Sequence, residues 1–171
     1  MTKSKGFSLI ELLIVVAIIL IIAAIAIPNL LRARIAANQA AAVSTIRNIN
    51  NSEAAYISQY PSTGFADTLV KLGPGPTCDA THACLVDSVV GCAAQPCVKG
   101  GYKYYLASTA ATPIGDYASS ATPVSWGGTG LENYCSTDDA VIRMQIAAAG
   151  QLGGAVTRTA CADATQYSPV Q

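Results

Sequence analysis

Hydrophobic and polar positions divide the chain into an apolar first part, an amphipathic second part and a third part without a long period. The first part runs from Phe7 to Ile27 and is apolar over almost its whole length, with Glu11 near its start. As an α-helix rising about 1.5 Å per residue it would be about 31 Å long, which is about the thickness of the hydrocarbon core of a bilayer. The pattern predicts a membrane-spanning helix.

The residues on either side of this run predict that it is retained in the mature protein and indicate its orientation in the membrane. Sixteen consecutive apolar residues, from Leu12 to Ile27, exceed the usual core of a signal peptide, and no small-residue cleavage site follows them. Lys3 and Lys5 precede the run, and a short basic N-terminus usually stays in the cytoplasm. We therefore expect a cytoplasmic N-terminus and an exported C-terminal domain.

The helical pattern continues beyond the apolar run. Pro28 lacks a backbone N–H and its ring crowds the carbonyl group of Ala24, so we expect a kink there. After Pro28 there is no Gly or Pro until Pro61, so the pattern predicts one helix from about Phe7 to about Ser58. Its second half is amphipathic and should pack on a domain. The stripe consists of Leu31, Ile35, Ala42, Ile46, Ile49, Glu53, Tyr56 and Tyr60.

The third part combines loop composition with short strand patterns. Residues 61–101 are rich in Gly, Pro, Ser, Thr and Cys, which indicates a loop-rich segment stapled by disulfides. Turn signals then separate four short segments with strand character. These are Tyr102–Ser108, Thr122–Trp126, Leu131–Ser136 and Ala140–Ala147. We predict an α+β fold in which the second half of a long, kinked helix packs on a small antiparallel sheet.

Composition agrees with one small exported domain behind a membrane helix. The chain has 171 residues, and its 51% hydrophobic content is inflated by the apolar run and by alanine. Ten basic and ten acidic side chains balance, so no basic excess favours nucleic acid, and DNA binding stays open. All six cysteines follow residue 77, on the exported side, where disulfides persist.

The N-terminal motif carries a family resemblance. The sequence KGFSLIELL, with Gly6 before Phe7 and Glu11 five residues after Gly6, then an apolar run ending at Pro28, closely resembles the start of type IV pilins and pseudopilins. The resemblance implies that a prepilin peptidase cuts between Gly6 and Phe7, that the new N-terminus of Phe7 is methylated, and that the helices stack into a filament core.

Three segments follow from that resemblance and from the helix prediction. Residues 1–6 would be a leader peptide, and residues 7–28 would be the transmembrane helix that becomes the filament core. Residues 29–171 would form the globular head, which includes the amphipathic half of the helix to about residue 58, the Cys-rich region 61–101 and the C-terminal sheet.

Glu11 has a physical role in this scheme. Cleavage would create an ammonium group on Phe7, and an unpaired charge inside a membrane costs on the order of 3 kcal/mol or more. We predict that Glu11 of an arriving subunit pairs with the Phe7 ammonium of one already in place and so sets the axial stagger. The alternative is that Glu11 lies near the interface or simply favours the start of the helix.

The six cysteines allow 15 sets of three disulfides. We favour Cys78 with Cys84, Cys92 with Cys97, and Cys135 with Cys161, the last of which would close a long C-terminal loop like that of many pilins. The rival interpretation is a zinc site that uses His82 and nearby thiols, against which stand the Cys spacing and an oxidising compartment.

A calcium site at Asp138 and Asp139 is a second rival, because major pseudopilins of type II secretion use carboxylates in this region. Two adjacent acids supply too few spaced oxygen ligands, and the TDD sequence suits a hairpin turn. No nucleophile motif or phosphate-binding loop is present, so we predict neither an enzyme nor a cofactor.

Two functions compete at the level of sequence. The favoured one is a major pilin, a subunit that polymerises into a surface filament for adhesion, motility or DNA uptake. The alternative is a pseudopilin in a short periplasmic filament of a type II secretion system. Either would enter the inner membrane first and then need an assembly platform and a cytoplasmic ATPase motor, because an apolar helix gains little by leaving lipid.

Overall fold

The computed structural model describes residues 7–146 and 153–170. A helix α1 (Leu9–Gln59) is followed by α2 (Leu69–Leu72), β1 (Cys97–Lys99), β2 (Tyr102–Ser108), β3 (Tyr117–Pro123), β4 (Glu132–Thr137), β5 (Arg143–Ile146), α3 (Arg158–Ala162) and β6 (Ser168–Pro169). The chain divides into two compact units, the first ending at Arg34 and the second, here called the head, beginning at Ile35. This order of elements confirms the predicted α+β class.

The head contains one six-stranded sheet in which every neighbouring pair is antiparallel and the strand order follows the chain from β1 to β6. Strand β3 pairs along its whole length with β2, from Tyr102 opposite Pro123 to Ser108 opposite Tyr117. All seven of its residues are buried. Consecutive antiparallel strands can be joined by short connections, as between β1 and β2, whereas residues 147–167, which include α3, separate β5 from β6.

The part of α1 that belongs to the head buries one stripe of side chains. Spacings of seven, four, three, four and three residues separate the members of the stripe, which is the spacing of one helix face. The stripe consists of Ile35, Ala42, Ile46, Ile49, Glu53 and Tyr56. Most of them pack in one apolar core with buried tyrosines of the sheet, among them Tyr102, Tyr104 and Tyr117. The predicted amphipathic stripe is therefore the packing face, except that Leu31 is exposed and Tyr60 is only partly buried.

Two predicted strands agree with the structure and two need correction. The predicted bounds of β2 match, and those of β4 differ by one residue at each end. Strand β3 begins at Tyr117 and ends at Pro123, so the predicted segment Thr122–Trp126 lies too late in the chain. Strand β5 is shorter than predicted, and Ala147 lies outside the described residues.

The error in β3 has a physical cause. Its sequence YASSATP has mostly small side chains, and all seven positions are buried, so it lacks the alternation by which a half-buried strand is identified. Four further elements, α2, β1, α3 and β6, have only two to five residues each and lie outside the helix and strands that the sequence predicts. Elements this short depend on tertiary contacts and leave little periodic signal in the sequence.

Candidate assembly site

The first unit exposes nearly all of its side chains. Between Phe7 and Arg34 every residue is exposed except Ala23, which is half-buried, and the large apolar side chains range from Leu31 at 45% exposure to Phe7 at 81%. Within the described residues, α1 is the one helix long and apolar enough to cross a membrane, by length and composition. So much apolar surface is unfavourable in water and needs lipid or the same surface of other subunits to cover it.

Glu11 caps the beginning of α1. One carboxylate oxygen, Oε2, accepts a hydrogen bond from the backbone N–H of Ser8 at 3.0 Å, and the amides of Glu11 and Leu12 donate to the Ser8 carbonyl group. Ser8 thus occupies the N-cap position and Glu11 lies three residues later, as in a capping box. The sequence S-x-x-E at residues 8–11 is a local signal for this cap, which reasoning from the charge of Glu11 alone misses.

Pro28 lies inside α1, and the helix continues on both sides of it. Its ring nitrogen cannot donate to the carbonyl group of Ala24. The side chain of the next residue, Asn29, donates to the Ile25 carbonyl group at 3.0 Å and so adds a local hydrogen bond next to the interruption. A kink at Pro28 stays a prediction.

In the head, the three disulfides join Cys78 to Cys84, Cys92 to Cys97 and Cys135 to Cys161, which are the pairs favoured from the sequence. The last pair is fully buried and links β4 to α3. The thiols that a zinc site would need are therefore all bonded in disulfides. The ring of His82 has Thr81 Oγ1 near its Nδ1 atom, at 3.2 Å, in an exposed loop.

The acids considered for calcium bind arginines instead. Asp138 accepts from Arg158 at 2.5 and 3.1 Å, and Asp139 accepts from Arg143 at 3.2 and 2.5 Å. The Arg143 guanidinium lowers the pKa of Asp139 to about 2, and Arg158 lowers the pKa of Asp138. Thr137 Oγ1 also donates to Asp139, and β4 ends here, so these residues form the predicted turn. Residues 7–146 and 153–170 hold no cluster of metal-ligating side chains.

Two polar residues of α1 connect the helix with the rest of the head through contacts that the sequence does not reveal. Asn50 donates to Ser136 Oγ at 2.8 Å and accepts from the Tyr117 hydroxyl at 3.1 Å, which joins α1 to β4 and β3. Glu53 is fully buried, and its Oε2 accepts from the backbone N–H of Ala66 at 2.9 Å. Burial raises the pKa of Glu53 to about 8.

The exposed apolar helix and the disulfide-linked α+β head together define a subunit of the kind that assembles through its N-terminal helix. The chain matches the prokaryotic N-terminal methylation motif over residues 1–27. It is also 37% identical, over 115 residues, to the type IV wide pilus major component PilA4 of Thermus thermophilus. That alignment covers 66% of this chain and 85% of the Thermus protein. No solved structure matches the chain.

The chain therefore belongs to the type IV pilin family. It is a structural subunit of a pilus, it is processed from a precursor and it polymerises with copies of itself. The comparisons favour this function over the pseudopilin alternative.

Proposed function

We propose that the precursor is cleaved between Gly6 and Phe7, that Phe7 is methylated on its new amino group, and that the resulting subunit forms the core of a surface pilus through residues 7–28. Gly6 lies outside the described residues. The observation that carries the proposal is the exposed apolar surface of α1 within and directly after a match to the methylation motif. In the precursor this surface is covered by the inner membrane, and in the filament it is covered by other copies.

Assembly requires help because lipid covers an apolar helix about as well as neighbouring helices do. We propose that a cytoplasmic ATPase acts through a membrane platform to extract the subunit. The alanines at positions 17, 23, 24 and 26 allow close helix approach in the filament core. The finished filament would serve adhesion, surface motility or DNA uptake.

Glu11 would set the axial register between subunits in this assembly. Its Oε2 caps its own helix at Ser8, while its negative charge is exposed and available to the Phe7 ammonium of another copy. In apolar surroundings that attraction is weakly screened. Charge pairing would therefore select one axial stagger among the many that an apolar helix permits.

Intact mass spectrometry of filaments sheared from cells, without reduction, tests the processing. We expect the mass of residues 7–171, one methyl group heavier for the modified terminus and six hydrogens lighter for three disulfides. An unprocessed N-terminus would contradict the proposed cleavage. A processed chain that is absent from the sheared fraction and present only in the cell envelope would favour the pseudopilin alternative.

The substitution Glu11→Gln separates the two roles of Glu11. Glutamine keeps an oxygen that can accept from the Ser8 amide, so the helix cap is retained while the charge is lost. We expect normal cleavage and a large fall in sheared filaments. Filaments formed at the native rate with the native axial rise would show that the charge does not set the register.

A further inference from the structure

The first unit carries an excess of positive charge. After removal of the leader, its ionisable side chains are Glu11, Arg32 and Arg34. Both arginines are exposed, and the one acid of the unit precedes Arg32 by 21 positions along the helix. Neither guanidinium therefore has an anionic partner within residues 7–34.

The head carries the opposite excess, with nine acidic and six basic side chains. Four of the basic side chains already bind carboxylates, in the pairs Lys71–Asp67, Lys99–Asp87, Arg143–Asp139 and Arg158–Asp138. Two of the remaining acids, Asp79 and Asp163, have no cation within 4.0 Å among the residues that the structure describes.

Asp79 and Asp163 are held in fixed orientations by uncharged donors. The Asp79 carboxylate accepts from Thr77 Oγ1 at 3.0 Å and from Thr81 N and Oγ1 at 2.8 and 2.6 Å. That of Asp163 accepts from Thr165 N and Oγ1 at 2.9 and 2.7 Å and from Gln166 Nε2 at 3.0 Å. These hydrogen bonds lower the pKa of Asp79 to about 2 and also lower that of Asp163, so both are anionic at neutral pH.

We propose that Arg32 and Arg34 of one subunit form ion pairs with Asp79 or Asp163 on the head of a neighbouring copy. This inference rests on the proposed polymerisation, because it needs a second copy alongside the first. Charge complementarity favours this pairing, as does continuity with the filament core that the same helix forms. Arginine can bind a carboxylate with two parallel hydrogen bonds, and a carboxylate already fixed in place loses little entropy on pairing.

Zero-length cross-linking tests whether the pairs form between copies. The variant Arg32→Lys/Arg34→Lys keeps both charges and supplies amines, which a carbodiimide condenses with a contacting carboxylate to give an amide with loss of water. In purified filaments we expect dimers that survive detergent and reduction. Their junction peptides should join position 32 or 34 to the peptide that contains Asp79 or Asp163. The same variant dissolved as subunits in detergent should give none of these junctions.

A double-mutant cycle provides the second readout and uses substitutions that preserve local structure. Asp79→Asn/Asp163→Asn keeps one oxygen at each position, which can accept from Thr81 or from Thr165, and Arg32→Gln/Arg34→Gln removes only the cations. We expect each pair of substitutions to lower the yield of sheared filaments about fivefold or more, and the four together to lower it no further. Lys103→Gln, which also removes a cation without a carboxylate partner in the described head, is the matched control and should have no effect.

Four results would overturn the proposal. Junctions that form equally in dissolved subunits would place the pairs within one chain. Filaments that give no junction from positions 32 and 34 would exclude the contact, as would effects that multiply in the cycle. Loss of precursor from the membrane in the Arg→Gln variant, without such junctions, would assign the arginines to anionic lipid headgroups. Failure of the unmodified chain to form any filament would instead contradict the proposed function.

Discussion

The two parts of α1 bury their apolar side chains in different ways, and each contains one glutamate that reflects the difference. From Leu9 to Leu31 the large apolar side chains are exposed, and Glu11 is exposed with them. Beyond Ile35 the helix buries a single stripe in the head, and Glu53 is buried within that stripe. The first part needs other molecules for its burial, whereas the second part is satisfied within its own chain. The same helix thus serves assembly at one end and stability at the other.

The largest expected effect concerns the buried acid. The folded head raises the pKa of Glu53 from an ordinary 4.5 to about 8, chiefly through burial, and the nearby Asp67 contributes in the same direction. Its Oε1 atom has no hydrogen-bond partner among the described residues. Between pH 4.5 and 8 the unfolded chain ionises at this residue while the folded head stays protonated, so the free energy of unfolding falls as the pH rises.

Replacement of this acid should remove that pH dependence. One pKa unit corresponds to about 1.4 kcal/mol, so Glu53→Gln should stabilise the head relative to the unmodified chain by up to about 5 kcal/mol above about pH 8. The gain should vanish below about pH 4.5. Denaturant unfolding of the full chain in detergent, measured from about pH 4 to about pH 9, gives the two curves. Glu11→Gln is the control and should leave head stability unchanged, and parallel curves for Glu53→Gln and the unmodified chain would contradict the argument.

The next effect concerns covalent links within the head, which the first unit lacks. Removing the Cys135–Cys161 disulfide, which closes a separation of 26 residues, should cost about 3.5 kcal/mol in the chain-entropy account. Removing Cys92–Cys97, with a separation of 5, should cost about 2 kcal/mol. Paired Cys→Ala substitutions measured by denaturant unfolding give the comparison. A larger loss from the shorter link would show that local packing, rather than loop length, decides its contribution.

Sequence reasoning succeeds where one physical pattern dominates a long segment. The apolar run and the stripe from Ile35 to Tyr56 fix the helix to within about two residues at either end, and the alternating strand β2 has its predicted bounds. Sequence reasoning fails where burial comes from tertiary contact alone. Strand β3 is buried on both faces and consists mostly of small residues, and nothing in its composition distinguishes it from a loop.

The residues of the candidate site show the same difference between local sequence signals and tertiary contacts. Glu11 is conspicuous because an acid in an apolar run needs a reason, and its cap to Ser8 follows a local S-x-x-E signal. Glu53 and Asn50 are ordinary polar residues in an amphipathic helix, and their importance depends on Ala66, Tyr117 and Ser136, which the fold brings to them from 13 to 86 positions away. No local pattern predicts such contacts.

A matched pair of isoleucines tests the contrast between the two parts of the helix. Ile49 is fully buried in the head and Ile19 is 58% exposed. Ile49→Ala should lower the free energy of unfolding of the head by about 3 kcal/mol through lost burial and the cavity left behind. Ile19→Ala should leave head unfolding unchanged and should instead reduce the resistance of filaments to dissociation by detergent. Equal effects of both substitutions on head unfolding would contradict the division of the helix into two roles.

The smallest expected effect compares neighbouring asparagines on the head part of α1. Asn50 is buried and joins Tyr117 to Ser136, whereas Asn51 is exposed. Asn50→Ala leaves the Tyr117 hydroxyl and Ser136 Oγ without these partners, and we expect a cost of about 2 kcal/mol in denaturant unfolding. Asn51→Ala should change the free energy of unfolding by less than about 0.5 kcal/mol. If Asn50→Ala proved equally neutral, the link between α1 and the sheet would rest on apolar packing alone, and the polar contacts would only set which helix face meets the sheet.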